Sequence, residues 1–345
     1  MNSVFSIQLF QFIVGLIALI LLHEFGHFIV ARLLKVEIEE FGIGFPPRMF
    51  KLFEAGGTEF TINWIPLGGF VRPKGENDPT VPGGLAAASP WVRLGVLVAG
   101  PGMNLLIGVI LGVMLFYSLG DPILNKVTIQ RVAAQSPAAE SGLQAGDLIL
   151  AVNGEPIDGT QKLQNLIEAN LGKPTTVVYQ RGDQTITVIV TPRVSPPANQ
   201  GAVGIVLGHP MQPIGIGVAI SRGAGAAYDY GRSVLLLPIN MLRGQITPQE
   251  GRPVGFKGMF DIYRELQSPI FFFMVISISL GIFNLFPIPA LDGGRILLTL
   301  PEIIVRRRIP PQYENMIHLV GFTLLLILII YINVQDFINP LQLPH

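Results

Sequence analysis

Two histidines and a glutamate lie inside an otherwise apolar run, "LILLHEFGHFIVA", from Leu19 to Ala31. An ionised side chain at the centre of a membrane helix costs roughly 2.5–3.5 kcal/mol or more, so three such residues together ask for a chemical reason. His23 and His27 are four apart. On a helix both imidazoles then share one face, one turn apart, where two neutral rings can bind a single Zn²⁺. Glu24 points to a neighbouring part of that surface and can reach a metal-bound water without ligating the metal. This is the H-E-x-x-H arrangement, in which zinc brings the pKa of its water to about 7 and the glutamate takes the proton.

A catalytic zinc takes three protein ligands and keeps one position open. No further histidine or glutamate follows closely on the same helix, so the third ligand must come from elsewhere. Asp292, in "GIFNLFPIPALDGGRILL", is the best candidate. The alternative is an N-cap of a helix beginning at "GGRILLTL". His318 is a weaker rival, more in keeping with a structural histidine at a helix end. His209 and His345 are placed poorly for the role.

These residues need elements to hold them. Of 345 residues half are apolar and only 13% are charged, against about 25% in a soluble domain, which indicates an integral membrane protein. The net charge is zero and there is no cysteine. No nucleic-acid partner is indicated, and disulfides, thiolate metal sites and thiol nucleophiles are excluded. "MNSVFSIQLF" has no basic n-region, and the apolar run after it is too long for a signal h-region, so it reads as a retained span. Apolar segments cover about Val4–Ala31, Leu94–Leu119, Ile270–Phe286 and Ile317–Ile332. Each is near the ~20 residues needed to cross as a helix, the last two at the short end. The fold class is therefore a polytopic α-helical membrane protein with about four spans.

Basic residues cluster between the first and second spans (Arg32 to Arg93) and between the third and fourth (Arg295 and the triplet at 306–308). By the positive-inside rule both connections face the cytoplasm. Both termini and the long segment 120–268 lie outside, and His23, His27 and Asp292 fall at the cytoplasmic side. Within the first connection, "KVEIEEFGIGF" and "TEFTINWIPLGGFV" alternate like short strands of a hairpin or small sheet, and "KGENDPTVPGG" reads as a flexible loop. The outer segment is strand-rich from Val127 to about Arg193, with a helix over Gln161–Ala169 and the strands "TTVVYQR" and "QTITVIV". "SPPANQ" ends it, and "GAVGIVLG" may be read as one more strand. From Gly223 to Leu242 the pattern fits an amphipathic helix on the outer membrane surface or an ordinary loop helix.

Taken in order, "HEFGH", "GPGMN" (Gly100–Asn104), "SGLQAGDLILAVNG" and "NLFPIPALDGG" resemble the site-2 protease family of intramembrane zinc metallopeptidases, in the bacterial form with one PDZ domain. The resemblance covers nearly the whole chain. It implies one Zn²⁺ per chain held by His23, His27 and Asp292, with Glu24 as the catalytic base. It implies that Asn284, Pro287 and Pro289 bind an unwound substrate backbone, and that the strand-rich loop is a membrane-associated β element offering its edge to substrate. Gly68 and Gly69 would suit close backbone approach there, as they would suit any turn. Asn104 would support the site or serve as interhelical glue. The implied organisation is a membrane region (1–120), an extracytoplasmic PDZ domain of α+β type (121–200), an extracytoplasmic linker with an amphipathic helix (201–268) and a second membrane region (269–345). The implied partners are single-pass membrane proteins, the lipid bilayer and peptide C-termini at the PDZ domain. The implied location is the bacterial inner membrane. A membrane adaptor with a structural metal, or a metal transporter, would account less well for Glu24 and for the large insert.

Overall fold

The computed structural model describes residues 2–197, 200–247, 251–266, 268–306 and 309–340. Arg307, Arg308, His345 and part of "SPPANQ" lie outside them. The chain forms two compact units, one combining Met1–Leu115 with Ile220–Gln342 and the other made by Phe116–Ala219.

The first unit starts with α1 (Asn2–Leu33). It is apolar on every side, as expected of a helix surrounded by lipid, and Val4, Phe5, Ile7 and Phe10 are exposed. α1 ends in a left-handed residue, Lys35 (φ 62°). The Val36 amide returns to Ala31 O and the Lys35 amide to Arg32 O. This closes the helix in the Schellman manner and sends the chain directly into β1 (Ile38–Ala55) and β2 (Thr58–Pro73).

These strands are far longer than the short ones expected from the alternation. Gly56 and Gly57 both take positive φ, as a two-residue I′ hairpin turn requires, and Ala55 pairs with Thr58. The ladder then branches. Ile38–Ile43 pairs with Pro73–Gly69 on one side, while Glu40–Ile43 pairs with Glu59–Ile62 on the other. One hairpin thus behaves as a four-ribbon sheet with 69–73 along an outer edge. Alternation fixes the face of each residue but not a strand's length, so this fold-back is invisible to it. The loop after β2 is irregular, as expected, but it is tied down. Glu37 N donates to Gly83 O, Lys74 N to Glu37 O and Leu85 N to Lys74 O.

α2 (Pro90–Leu119) follows. After the second unit come α5 (Ile216–Leu242), α6 (Phe256–Glu265), α7 (Pro269–Leu285), α8 (Asp292–Val305) and α9 (Pro311–Ile338). Ala227 and Val234 of α5 pack with Met274, Ile278 and Ile282 of α7, against Leu105 and Val109 of α2. Gly112 and Gly223 let the backbones of α2 and α5 meet. The amphipathic helix read over Gly223–Leu242 starts earlier, at Ile216, and packs one stripe on α2 and α7 while its other face stays exposed. α6 is amphipathic, and its Phe260 and Tyr263 pack on Phe12 and Phe272. Its N-terminal amides, Gly255 N and Gly258 N, donate to the buried Asp336 of α9 at 2.8 and 2.9 Å.

Among the described residues three helical stretches are long and apolar enough to cross a membrane, Val4–Leu33, Pro90–Leu119 and Gln312–Ile338. α7 is apolar but has only 17 residues, about 26 Å at 1.5 Å per residue, against roughly 30 Å of hydrocarbon.

In the second unit β3 (Asp121–Pro122) pairs with β10 (Met211–Gln212). A six-stranded antiparallel sheet has the order β8-β7-β5-β4-β9, with β6 beside β5. Its strands are β4 (Val127–Val132), β5 (Leu148–Val152), β6 (Glu155–Pro156), β7 (Thr175–Arg181), β8 (Gln184–Val190) and β9 (Ile205–Gly208). Two helices complete the unit, α3 (Pro137–Glu140), capped by Ser136 Oγ, and α4 (Thr160–Ala169). Val127, Ile129, Val152, Leu163, Val177 and Val190 form the centre of its core. The strands read at 175–181 and 184–190 and the helix at 161–169 all stand in it, and β9 occupies the second half of "GAVGIVLG".

Candidate active site

His23, Glu24 and His27 occupy one face of α1, and α2 crosses that helix immediately behind them. Gly26 permits the crossing, since a Cβ there would stand 2.5 Å from Ala99 O. Gly100 does the same for the imidazole itself, because a Cβ at that position would lie inside the His27 ring. The His27 ring is then fixed by Nδ1 donating to Val96 O at 2.7 Å. A carbonyl only accepts, so Nδ1 carries the proton and Nε2 keeps its lone pair.

Asp292 arrives from α8. α7 begins at the Ser268 cap, with Pro269 in the first turn, and ends at Phe286. The chain doubles back through Ala290, which has positive φ (79°). Gly293 and Gly294 allow the first turn of α8 to lie directly on the Leu285–Pro289 backbone. Leu291 is the N-cap and Asp292 the first helical residue, so the capping alternative for Asp292 is not what the structure contains. His318 is no rival either. Its Nδ1 accepts from Ala290 N at 3.1 Å, which makes it a support for the turn that precedes Asp292.

The result is a group of three ligand atoms. Asp292 Oδ2 stands 3.1 Å from His23 Nε2 and 3.3 Å from His27 Nε2, and the two Nε2 atoms are 3.2 Å apart. Oδ2 is buried yet accepts no hydrogen bond. Among the described residues this is the only trio of His, Cys, Asp or Glu gathered closely enough to hold a metal ion. The donor set fits such an ion. A lone pair on His27 Nε2 and an ionised carboxylate oxygen repel each other in a dry site unless a cation or a proton lies between them.

Glu24 is beside this trio. Its Oε2 accepts the Val71 amide at 3.1 Å, from the outer edge of β2. Glu24, the trio, Gly69, Val71 and Asn284 line one cavity of about 520 Å³. Glu76 and Arg295 pair at its rim. Asn284 also donates Nδ2 to Leu280 O. Gly68 requires its glycine for its positive φ (103°) and lies against Phe45 and Ile20, next to the cavity lining and not in it. Pro287 and Pro289 do not line the cavity. Pro287 is exposed, and Pro289 packs under Gly321 of α9. Their service is to break the helix, which brings Asn284 and Asp292 to the same wall. Asn104 is fully buried with Nδ2 3.2 Å from His23 Nδ1.

The sequence reading did not single out Val96 or Val71. Both act through backbone atoms, so their side-chain types carry no signal. Gly100 lies within "GPGMN", and the motif was visible there without its purpose.

A membrane protein with a His–Glu–His–Asp group of this kind gathered on one cavity belongs by its chemistry among membrane metallopeptidases. The profile of peptidase family M50 matches residues 11–328, and the chain belongs to that family, the site-2 proteases. It is similar to a protein assigned as a zinc metalloprotease in Clostridium perfringens, with 32% identity over 94% of this chain and 96% of that one. It is also similar to the zinc metalloprotease RasP of Geobacillus kaustophilus, with 26% identity over 95% of this chain and 97% of the relative. Among solved structures, the PDZ domain of an SdrC-like protein from Listeria monocytogenes is 26% identical. It covers 24% of this chain and 87% of that one, with a TM-score of 0.22.

Proposed function

We propose that the protein is an intramembrane zinc endopeptidase that cleaves transmembrane segments of single-span membrane proteins, such as anti-sigma factors or remnant signal peptides. The observation that carries this is the convergence of His23 Nε2, His27 Nε2 and the undonated Asp292 Oδ2 beside a glutamate on an apolar helix. These three atoms would hold one Zn²⁺ per chain. Zinc bound there supplies a Lewis acid for the scissile carbonyl and lowers the pKa of water. Glu24 takes the proton from the attacking water and returns it to the leaving amine. The Val71 amide keeps one Glu24 oxygen in place.

Helical peptide bonds are already hydrogen-bonded internally, so a substrate must unwind before it can be cut. With the Val71 amide given to Glu24, the rest of the 69–73 edge of the β element can pair with an extended segment by strand addition. Asn284 offers a donor and an acceptor across the cavity, and Gly69 permits close backbone approach. Asn104 supports the metal side. Pro287, Pro289 and Gly68 are assigned to shaping the walls, not to touching substrate.

In this reading the chain has four spans, α7 being the short one. Both termini and the PDZ domain of 121–200 lie outside a bacterial inner membrane, and the catalytic residues lie towards the cytoplasm. A groove in the second unit between α4 and β9, bordered by Leu163, Ile167 and Ile205, is suited to a peptide C-terminus.

The test uses the purified full-length protein and a tagged single-span substrate. Glu24→Gln should lower cleavage by roughly 10²–10⁴-fold, the usual contribution of a general base, while zinc content stays at one per chain. Full cleavage by Glu24→Gln would remove Glu24 from the mechanism.

A further inference from the structure

Asn104 has no exposed surface. It is anchored by Ser277 of α7, whose hydroxyl donates to the Asn104 carbonyl at 2.8 Å. Its carboxamide meets His23 Nδ1 at 3.2 Å, while the buried Oδ1 accepts nothing. Two orientations of a carboxamide share one outline, because oxygen and nitrogen are almost the same size. They have opposite consequences for His23. A donated amide N–H would occupy the Nδ1 lone pair and force the ring proton onto Nε2, towards Asp292. An accepting oxygen would hold the proton on Nδ1 and leave the Nε2 lone pair facing His27 and Asp292.

His27 shows which of these the site uses. Its Nδ1 faces Val96 O, so its Nε2 is bare. Both imidazoles therefore meet α2 through Nδ1 and turn Nε2 to the same point. We propose that Asn104 presents its carboxamide oxygen to His23 Nδ1–H, and so acts as the positioning residue that fixes the tautomer of His23. This inference rests on the reading of His23, His27 and Asp292 as zinc ligands. It makes α2 the helix that orients both histidines, one through a backbone carbonyl and one through a side chain.

The experiment compares full-length protein with Asn104→Leu, which has a similar outline and no acceptor, and Asn104→Asp, which can only accept. Zinc affinity is read by competition with a chelator. Loss of an outer partner of a metal-bound histidine typically weakens affinity by about 10–100-fold, and Asn104→Leu should show that loss. Asn104→Asp should bind within about threefold of the parent, on the same principle. Affinity of Asn104→Leu equal to the parent, or Asn104→Asp as weak as Asn104→Leu, would overturn the assignment.

A second measurement does not depend on the Asn104 variants folding. Nitrogen NMR of metal-free parent protein labelled in the histidine rings, at alkaline pH, should show a protonated Nδ1 and a bare Nε2 in the signal that His23→Ala removes. A bare Nδ1 with the proton on Nε2 would overturn the assignment. A parent protein that binds no zinc overturns the ligand reading itself, and this inference with it.

Discussion

Asp147 in the second unit and Asp292 in the first are the same residue in opposite surroundings. Asp147 is 1% exposed and fully provided with donors. Arg181 holds it through Nε at 2.7 Å and Nη2 at 2.8 Å, and Gln144 N adds a third bond at 2.8 Å. Asp292 is only partly buried, although its Oδ2 is enclosed; its neighbours are two imidazole nitrogens, at least one of them an acceptor, and that oxygen has no donor. The first carboxylate completes a fold by joining β7 to the turn before β5. The second lacks a donor, and in the proposed function a bound cation would supply what it lacks. What separates the two is the inventory of donors more than the degree of burial.

The comparison breaks if the two residues respond alike when changed. Asp292→Asn should reduce peptide cleavage by about 10³-fold or more, since it removes one of the three ligands on which the proposed chemistry depends. Zinc content should fall with it, while the thermal unfolding of metal-free protein should move little or rise. Gly100→Ala should come next, displacing the His27 ring through overpacking that ordinarily costs about 1–3 kcal/mol. Zinc stoichiometry measured after dialysis should drop although no ligand has been changed. Asp147→Asn should do the reverse of Asp292→Asn. Losing charge-assisted bonds should cost the second unit about 2–3 kcal/mol, read by chemical denaturation, with zinc content unchanged.

The smallest effect concerns a carboxylate that is paired like Asp147 but partly open to solvent. Glu59 meets Lys51 at 2.9 Å and Arg48 at 2.7 Å, and these cations, Lys51 foremost, hold its carboxyl below the usual carboxylate range. A lowered folded value means the stabilisation is complete above the unfolded value and disappears as pH falls through the folded one. Glu59→Gln should therefore melt slightly below the parent near neutral pH and match it below about pH 3. A melting difference that grew on acidification would contradict the pairing.

Much of the architecture was legible because it rests on local periodicity. The apolar runs that became α1, α2 and α9, and the strands at 175–181 and 184–190, are properties of neighbouring residues. The two histidines and Glu24 were legible for the same reason, since one helical turn is a local distance. The length of β1 and β2 was not. The ladder branches because one stretch of β1 pairs on both edges, and no local pattern states which edges will meet. The fate of α5 was also hidden. Its small and apolar residues suit a membrane surface as well as a helix interface, and only contact with α2 and α7 shows which stripe packs.

The sequence by itself determined the chemistry available: two imidazoles and a carboxylate on one helical face, a second carboxylate after a proline-broken segment, and a chain apolar enough to place them in a membrane protein. Tertiary structure decided which of these groups act together. It put Asp292 at the first turn of α8, where glycines let it reach His23 and His27. It gave the histidines Val96 O and Asn104 as outer partners and tied Glu24 to the Val71 amide. Those choices lie beyond the sequence because they depend on backbone carbonyls, backbone amides and the absence of side chains at Gly26 and Gly100. Such features become specific only when two elements are packed against each other.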